Sequence, residues 1–424
     1  MSGPAASPRI LTLENGVRIA LDTSSHARTA SFGVWFAAGA RHDPAGKGGL
    51  AHLLEHMTFK GADGRTAREI AELVEARGAS INAATEYERT SYTMRCLPQD
   101  APALMSVLLS LPLGADLPGD ELAKEIDVVL QEMSEAADDP EDLVFETAQA
   151  ANFGDHPLGR PILGIDASVR SITRDDLRAF LSGEYDPRRI VVSVSGSFDE
   201  GAMLAAIESR LAPLAQSALS VTSQPTPPKA AVRSVTRKTE QCHLVIGGLS
   251  APIGSPQRIA VSLFTEVLGG GMASRLFQDV REARGLVYSI DASSDAYTDA
   301  GRMQVYCGCA AKNVGEVLDL TLGIWGELAA NGPTPAELDR ARTVLEAHLA
   351  MAADSPVARA GMAAHDLFTF GRLRDPGEII EQIRAVTARD LMAFGELSRS
   401  AGPVIAYVGP AAGARAAEGR LKGF

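Results

Sequence analysis

Apolar positions recur along this chain in two alternating rhythms. Val17 to Asp22 and Thr29 to Ala37 alternate or run apolar with the period of a strand, and Asn15-Gly16 before the first of them is a turn signal. Ala51 to Thr58 and Thr66 to Arg77 space their apolar residues as one face of a helix, with Asp63-Gly64 as the break between them. Ile81 to Cys96 predicts a pair of strands and Asp120 to Glu135 one long helix. Hairpin-like strands mixed with helices predict an α+β fold, a mostly antiparallel sheet with helices packed on it.

The same pattern then returns. Shifting the sequence by 209 positions lays Ala51 on Ala260, Leu54 on Leu263, Gly61 on Gly270, Ser80 and Ile81 on Ser289 and Ile290, and Met94 on Met303. Thr-x-x-Asp-Leu-x-Ala-Phe occurs at Thr173 and again at Thr387, an offset of 214, and each copy is followed by a β-branched run ending in glycine, at Gly196 and Gly409. Two segments repeated in the same order predict an internal duplication, with the drift in offset supplied by loop insertions. Ser217 to Lys229 carries three prolines among Ser and Thr, the composition of a stiff and poorly packing connector. The predicted organisation is a first domain at 1–216, a linker at 217–229 and a homologous second domain at 230–424.

Composition narrows the classes of function. Of 424 residues 46% are hydrophobic, which excludes disorder, and the net charge of −13 excludes nucleic acid and an anionic membrane surface as partners. No uninterrupted apolar stretch reaches the roughly 18 residues of a membrane span. The first residues lack the charged start and apolar stretch of a secretory leader, and four scattered cysteines make no disulfide framework, so a reducing cytoplasm is the expected compartment.

Candidate chemistry concentrates at His52-Leu53-Leu54-Glu55-His56. On a helix the two imidazoles stand one turn apart on one side, can share a metal, and have a glutamate on the adjoining face. Zinc suits such a set, because it accepts nitrogen ligands in tetrahedral geometry and keeps a position for water. The order H-x-x-E-H is the inverted form of the common zinc-protease motif. Apolar Leu50, Leu53, Leu54 and Met57 around the motif argue against two merely solvated histidines, since an unpaired buried cluster is costly. The third ligand is sought on the acidic helix. Glu125 and Glu132 lie seven apart on one face, with Val128 and Val129 between them marking that face as inward, and Glu121 and Glu135 are rival ligands that spacing does not exclude.

These residues resemble the M16 (pitrilysin or insulinase) family of zinc metallopeptidases, in its short two-domain class. His52-x-x-Glu55-His56 with Glu132 76 positions after His56 carries the resemblance, supported by Ala40-Arg41, Gly48, Phe59-Lys60-Gly61, Gly78, Asn82-Ala83-x-Thr85, and Arg281 with Tyr288. The resemblance implies one Zn2+ per chain on His52, His56 and Glu132, Glu125 supporting the site, and Glu55 as the general base toward the metal-held water. It implies further that Asn82, Ala83 and Thr85 align a substrate backbone, and that Arg281 and Tyr288 hold substrate and stabilise the oxyanion.

At offset 209 the polar residues His52, Glu55 and His56 face Val261, Phe264 and Thr265, while Arg281 and Tyr288 face Glu72 and Ala79. Each copy therefore carries one part of the chemistry. The expectation is a zinc-dependent endopeptidase that hydrolyses peptides or unfolded segments in a closed chamber, working as a homodimer with Arg281 and Tyr288 acting across subunits. Eleven acidic residues and one lysine between Asp120 and Glu146 would favour basic peptides. The rival expectation is a non-catalytic peptide-binding or assembly subunit of a processing-peptidase-like complex.

Overall fold

The computed structural model describes residues 8–219, 224, 225 and 229–421. Of the predicted linker, residues 220–223 and 226–228 lie outside the described residues. The chain forms two compact units, Met1–Met133 with Pro161–Thr222 and Ala350–Arg374, and Ser134–Arg160 with Ser223–Leu349 and Asp375–Phe424.

In the first unit the strands are β1 (Arg9–Thr12), β2 (Arg18–Thr23), β3 (Ala30–Phe36), a short β4 (Gly61–Ala62) and β5 (Arg65–Thr66) hairpin, β6 (Ser80–Thr85), β7 (Thr90–Cys96) and β8 (Ile190–Gly196). Six of them make a sheet in the order β1-β2-β8-β3-β7-β6, antiparallel except where β2 runs parallel to β8. The second unit holds β9 (Ala231–Thr236), β10 (Cys242–Leu249), β11 (Val287–Ala296), β12 (Gly301–Cys309) and β13 (Val404–Gly409). Their order is β11-β12-β10-β13-β9, with β13 and β9 parallel. Read from the other edge, this is β2-β8-β3-β7-β6 over again, so the sequence repeat is a repeat of topology.

The repeated Thr-x-x-Asp has a mechanical reason. Thr173 accepts a hydrogen bond from the Asp176 amide while Asp176 accepts from the Thr173 amide, and Thr387 and Asp390 do the same at the second copy. Each pair is a capping box that starts a helix before the buried strand, β8 or β13.

One face of the first sheet is the core. Phe32, Val34 and Phe36 of β3, Ile190, Val192 and Val194 of β8, and Tyr92 and Met94 of β7 are buried under helices that include Leu50–Thr58, Ala101–Leu113 and Arg174–Glu184. Each such large apolar side chain contributes about 1.5–3 kcal/mol on burial. The opposite face of each sheet takes a helix from the other half of the sequence. Pro140–Phe153 lays Val144 and Ala148 against Val245, Ala406 and Val408 in the second unit. Pro356–Phe370 lays Ala364 and Leu367 against Ala20 and Val191 in the first. The two helices lie 216 positions apart, and each has proline at its first position. The division into 1–216 and 230–424 is thus crossed twice: by their contacts 134–160 belong with the second unit and 350–374 with the first.

All four cysteines are buried and unbridged; Cys307 and Cys309 share the core face, and Cys309 stands opposite Cys242. No helix among the described residues is long and apolar enough to cross a membrane.

The helix Leu50–Thr58 begins at Gly49, whose backbone is left-handed (φ 92) and whose Cβ, were there one, would stand 2.5 Å from the Leu163 carbonyl oxygen. Glycine brings no capping side chain, and the cap comes from a distance. Buried Asp43 accepts hydrogen bonds from the Gly49 amide (2.8 Å) and the Ala51 amide (2.9 Å). A carboxylate at this end also meets the positive pole of the helix. Asp43→Ala is expected to lower the unfolding free energy by about 1–3 kcal/mol, with Asp43→Asn milder, read from denaturant midpoints at constant m.

Acid acts at a neighbouring site. Burial, helped by the charge of Arg189 and opposed by that of Glu184, holds His42 down at about 4, while its Nδ1 accepts the Gly39 amide at 3.1 Å. The unfolded chain therefore binds a proton that the folded chain refuses between about pH 6.5 and pH 4. Stability from this group is complete above that window and is lost as pH falls through it, by up to about 1.4 kcal/mol per pH unit. His42→Gln should flatten that part of a stability–pH curve.

Candidate metal centre

The helix Leu50–Thr58 buries Leu50, Ala51, Leu53, Leu54 and Met57, which leaves His52, Glu55 and His56 half-buried on its remaining face. The two imidazole centroids lie 4.6 Å apart. The helix Gly119–Asp138 brings Glu132 to them, its Oε2 3.9 Å from His52 Nε2 and 3.6 Å from His56 Nε2. Among the described residues these three make the one group of His, Cys, Asp or Glu whose ligand atoms, mutually within 4.8 Å, could hold a metal ion.

The donor set fits zinc. Bonds of about 2.0–2.1 Å in tetrahedral geometry put ligand atoms roughly 3.4 Å apart, close to the separations observed. Burial first, and the neighbouring His56 second, hold His52 at about 4, so its ring is neutral at neutral pH and has a lone pair to offer. Its Nδ1 is buried and has no hydrogen-bond partner among the described residues.

Glu125, 5% exposed, sits beneath these ligands. One carboxylate oxygen meets His56 Nδ1 at 3.2 Å and the other meets Lys60 Nζ at 2.7 Å. A proton on Nδ1, held by this carboxylate, leaves Nε2 of His56 turned toward Glu132 as a ligand atom. Of the rival carboxylates, Glu121 pairs with Lys124 at 2.7 Å and Glu135 is exposed, and neither joins the cluster. The inward face predicted for both valines holds for Val129, which is fully buried, and fails for Val128, which is 40% exposed: successive helical residues diverge by about 100°.

Glu55 lies beside the ligands. Its carboxylate accepts a hydrogen bond from Thr85 Oγ1 at 2.5 Å, and its pKa is raised above the ordinary value, chiefly by burial, against the lowering effect of Thr85. Thr85 ends β6, the edge strand of the sheet. Along β6, Ile81 and Ala83 pack on the core while Ser80, Asn82 and Ala84 are exposed on the other face. The outer backbone of β6 pairs with no strand among the described residues, so Asn82 and Ala83 are placed to receive an added one.

Arg281 and Tyr288 belong to the second unit, and both stand on irregular backbone. Arg281 is in a π-helical segment, Phe277–Glu282, with its guanidinium 4.5 Å from the centroid of the Phe277 ring. The β11–β12 register shifts between Val287 and Ser289, a bulge that falls on Tyr288 and leaves its side chain 69% exposed. Bulges and π-turns of this kind re-aim side chains.

Sequence reasoning missed the long-range cap by Asp43 and the charge partner Lys60. The spacing of Lys60, four residues after His56, was the available signal for the second.

Known proteins resemble this chain along most of its length. Residues 18–166 match the model of the insulinase family, peptidase family M16, and residues 171–345 match that of the peptidase M16 inactive domain. A protein of Mycobacterium tuberculosis strain H37Rv named as an uncharacterized zinc protease is 33% identical over 412 residues, covering 95% of this chain and 93% of its own. One of the same description from Bacillus subtilis is 32% identical over 377 residues, covering 88% and 91%. The chain belongs to the M16 family of peptidases. Its fold is shared with the peptidase M16 inactive domain from Pseudomonas fluorescens (TM-score 0.87, 23% identity, 95% of this chain and 98% of that one) and with a protease from Helicobacter pylori (TM-score 0.86, 19% identity, 95% and 99%).

If Glu125 orients His56, Glu125→Gln should keep the fold by circular dichroism and weaken zinc about 10–100-fold in competition with a chelating dye. An unchanged affinity would remove Glu125 from the site.

Proposed function

We propose that the chain is a zinc-dependent endopeptidase, with His52, His56 and Glu132 as ligands of one zinc ion. The observation that carries this reading is the convergence of those three ligand atoms with the Glu55 carboxylate beside them. Zinc, when bound there, supplies Lewis acidity that polarises a carbonyl and lowers the pKa of a water to about 7. Glu55 removes the proton of the attacking water and returns it to the leaving amine. Its raised pKa brings the base nearer the working pH. Thr85 keeps the carboxylate in place, and β6 aligns the substrate backbone through Asn82 and Ala83. Arg281 and Tyr288 hold the substrate and donate to the developing oxyanion, each from a segment of irregular backbone.

Because each copy of the repeat carries one part of this set, the reading extends to a homodimer whose subunits complete each other's sites around a chamber. The acidic helix Gly119–Asp138 favours basic peptides by steering.

Glu55→Gln should retain zinc and lose about 10²–10⁴-fold in kcat, and a chelator should abolish cleavage until zinc is restored. Zinc bound with no peptide of a diverse pool cleaved would instead favour a non-catalytic subunit. Mixing inactive Glu55→Gln with inactive Tyr288→Phe chains should restore activity through mixed dimers, to about a quarter of the wild-type sites in a random mixture. Mixed dimers that form and stay inactive would refute completion across subunits.

A further inference from the structure

The face of the first sheet turned away from the core is only partly covered. The helix Pro356–Phe370 lies over β8, β3 and β2, and beside it β7 and β6 form an open hollow of about 350 Å³. Trp35, Ser80, Asn82, Thr93, Arg95 and Val357 line it. The wall is amphipathic by construction. Trp35 lies flat because residue 33 is glycine, whose Cβ would stand 2.6–2.8 Å from two carbons of the indole ring. Beyond the indole come the hydroxyls and amide of Ser80, Thr93 and Asn82.

Arg95 is the one charged side chain among the lining residues, and it is exposed. Its guanidinium makes no hydrogen bond or ion pair with any described residue. No carboxylate stands among the residues that line the hollow with it. The register explains why nothing neutralises it. Ser80, Arg95, Ser31, Ser195 and Asp22 lie side by side across five strands. The carboxylate of that row, Asp22, is already held by Arg359 at 2.7 Å and by Ser195 at 2.8 Å.

We propose that this hollow is a specificity pocket that accepts an aspartate or glutamate side chain of the bound peptide and reads it through Arg95. The inference rests on the peptidase reading above. A peptide added to the outer edge of β6 sends alternate side chains to the two faces of the sheet. Residues opposite Thr85, Ala83 and Ile81 face the helix of His52 and His56, whereas those opposite Asn82 and Ser80 face the hollow. Asn82 and Ser80 precede Thr85 by three and five residues, so the acidic preference falls at one or both of two positions, two apart, on one side of the scissile bond. There the methylenes of the acidic residue pack on Trp35, and its carboxylate meets the guanidinium and the hydroxyls around it. This local contact is separate from any steering by net charge.

The test scans one glutamate, against glutamine, through peptides of fixed composition and net charge, and compares kcat/KM for wild type, Arg95→Gln and Arg95→Glu. Wild type should prefer glutamate about three- to tenfold at the predicted positions, the range of an arginine–carboxylate contact open to water. The ratio should fall to about one in Arg95→Gln and below one in Arg95→Glu. Cleavage without a preferred acidic position, or a preference that survives Arg95→Gln, overturns the pocket. If the zinc-loaded wild type cleaves none of the peptides, fluorescence anisotropy of the same set separates the two ideas. Binding that prefers glutamate and depends on Arg95 keeps the pocket and rejects the peptidase; equal binding of glutamate and glutamine peptides rejects the pocket itself.

Discussion

A carboxylate buried to 95% has to be compensated, and the compensation of Glu125 organises the rest of the site. Removing an ionised group from water costs several kcal/mol unless charge and hydrogen bonds replace the solvent. Lys60 at 2.7 Å supplies the charge and His56 Nδ1 at 3.2 Å supplies the hydrogen bond. Because that bond engages Nδ1, the Nε2 lone pair of His56 points to Glu132 and to the neighbouring ring of His52. The helix Gly119–Asp138 can hold Glu132 where it does because Glu125, two turns earlier, is anchored and Val129 between them is fully buried. The geometry of the three candidate ligands is therefore set from below, by a group outside their cluster.

The opposing constraint acts at the start of the histidine helix. Gly49 is required by its left-handed backbone and by the approach of the Leu163 carbonyl, so no side chain at that position can cap the helix. Asp43 makes up for it with both carboxylate oxygens. Between that cap and the anchored Glu125, the short helix is fixed at its first turn and at its last, and the spacing of His52 and His56 is left little freedom.

Much of this was legible in the sequence. The strands around Arg18–Thr23, Ala30–Phe36 and Ser80–Cys96 and the helices at Leu50–Thr58 and Gly119–Asp138 fall within a few residues of where apolar spacing places them, because each has one clearly buried face. The repeat was legible because capping boxes and β-branched runs are local. The exchanged helices were not. Val144 and Ala148 make an apolar stripe that fits either sheet equally well in one dimension, and only contact decides which sheet it covers. Val128 was misplaced because its neighbour Val129 carries the same hydrophobicity, and sequence spacing does not say which of two adjacent valines the turn carries outward. The bulge at Tyr288 was invisible for a similar reason, since Val287-Tyr288-Ser289 is an unremarked stretch of strand until its pairing with β12 is seen.

The second copy shows what the polar cluster costs. Where the first helix carries His52, Glu55 and His56, the helix Arg258–Gly269 carries Val261, Phe264 and Thr265, all buried. Val261 and Phe264 alone gain about 1.5–3 kcal/mol each from burial that the first copy forgoes. The duplicated fold thus places the polar cluster on this helix in one copy and packs the equivalent face of the other. The second copy deviates elsewhere, at the π-helical turn of Arg281 and the bulge of Tyr288, where the first copy has the regular helix Ala67–Glu75 and the residue just before β6. A repeated scaffold can therefore carry the polar face of one helix in a single copy while the equivalent face of the other stays apolar, which limits the loss from a marginal stability.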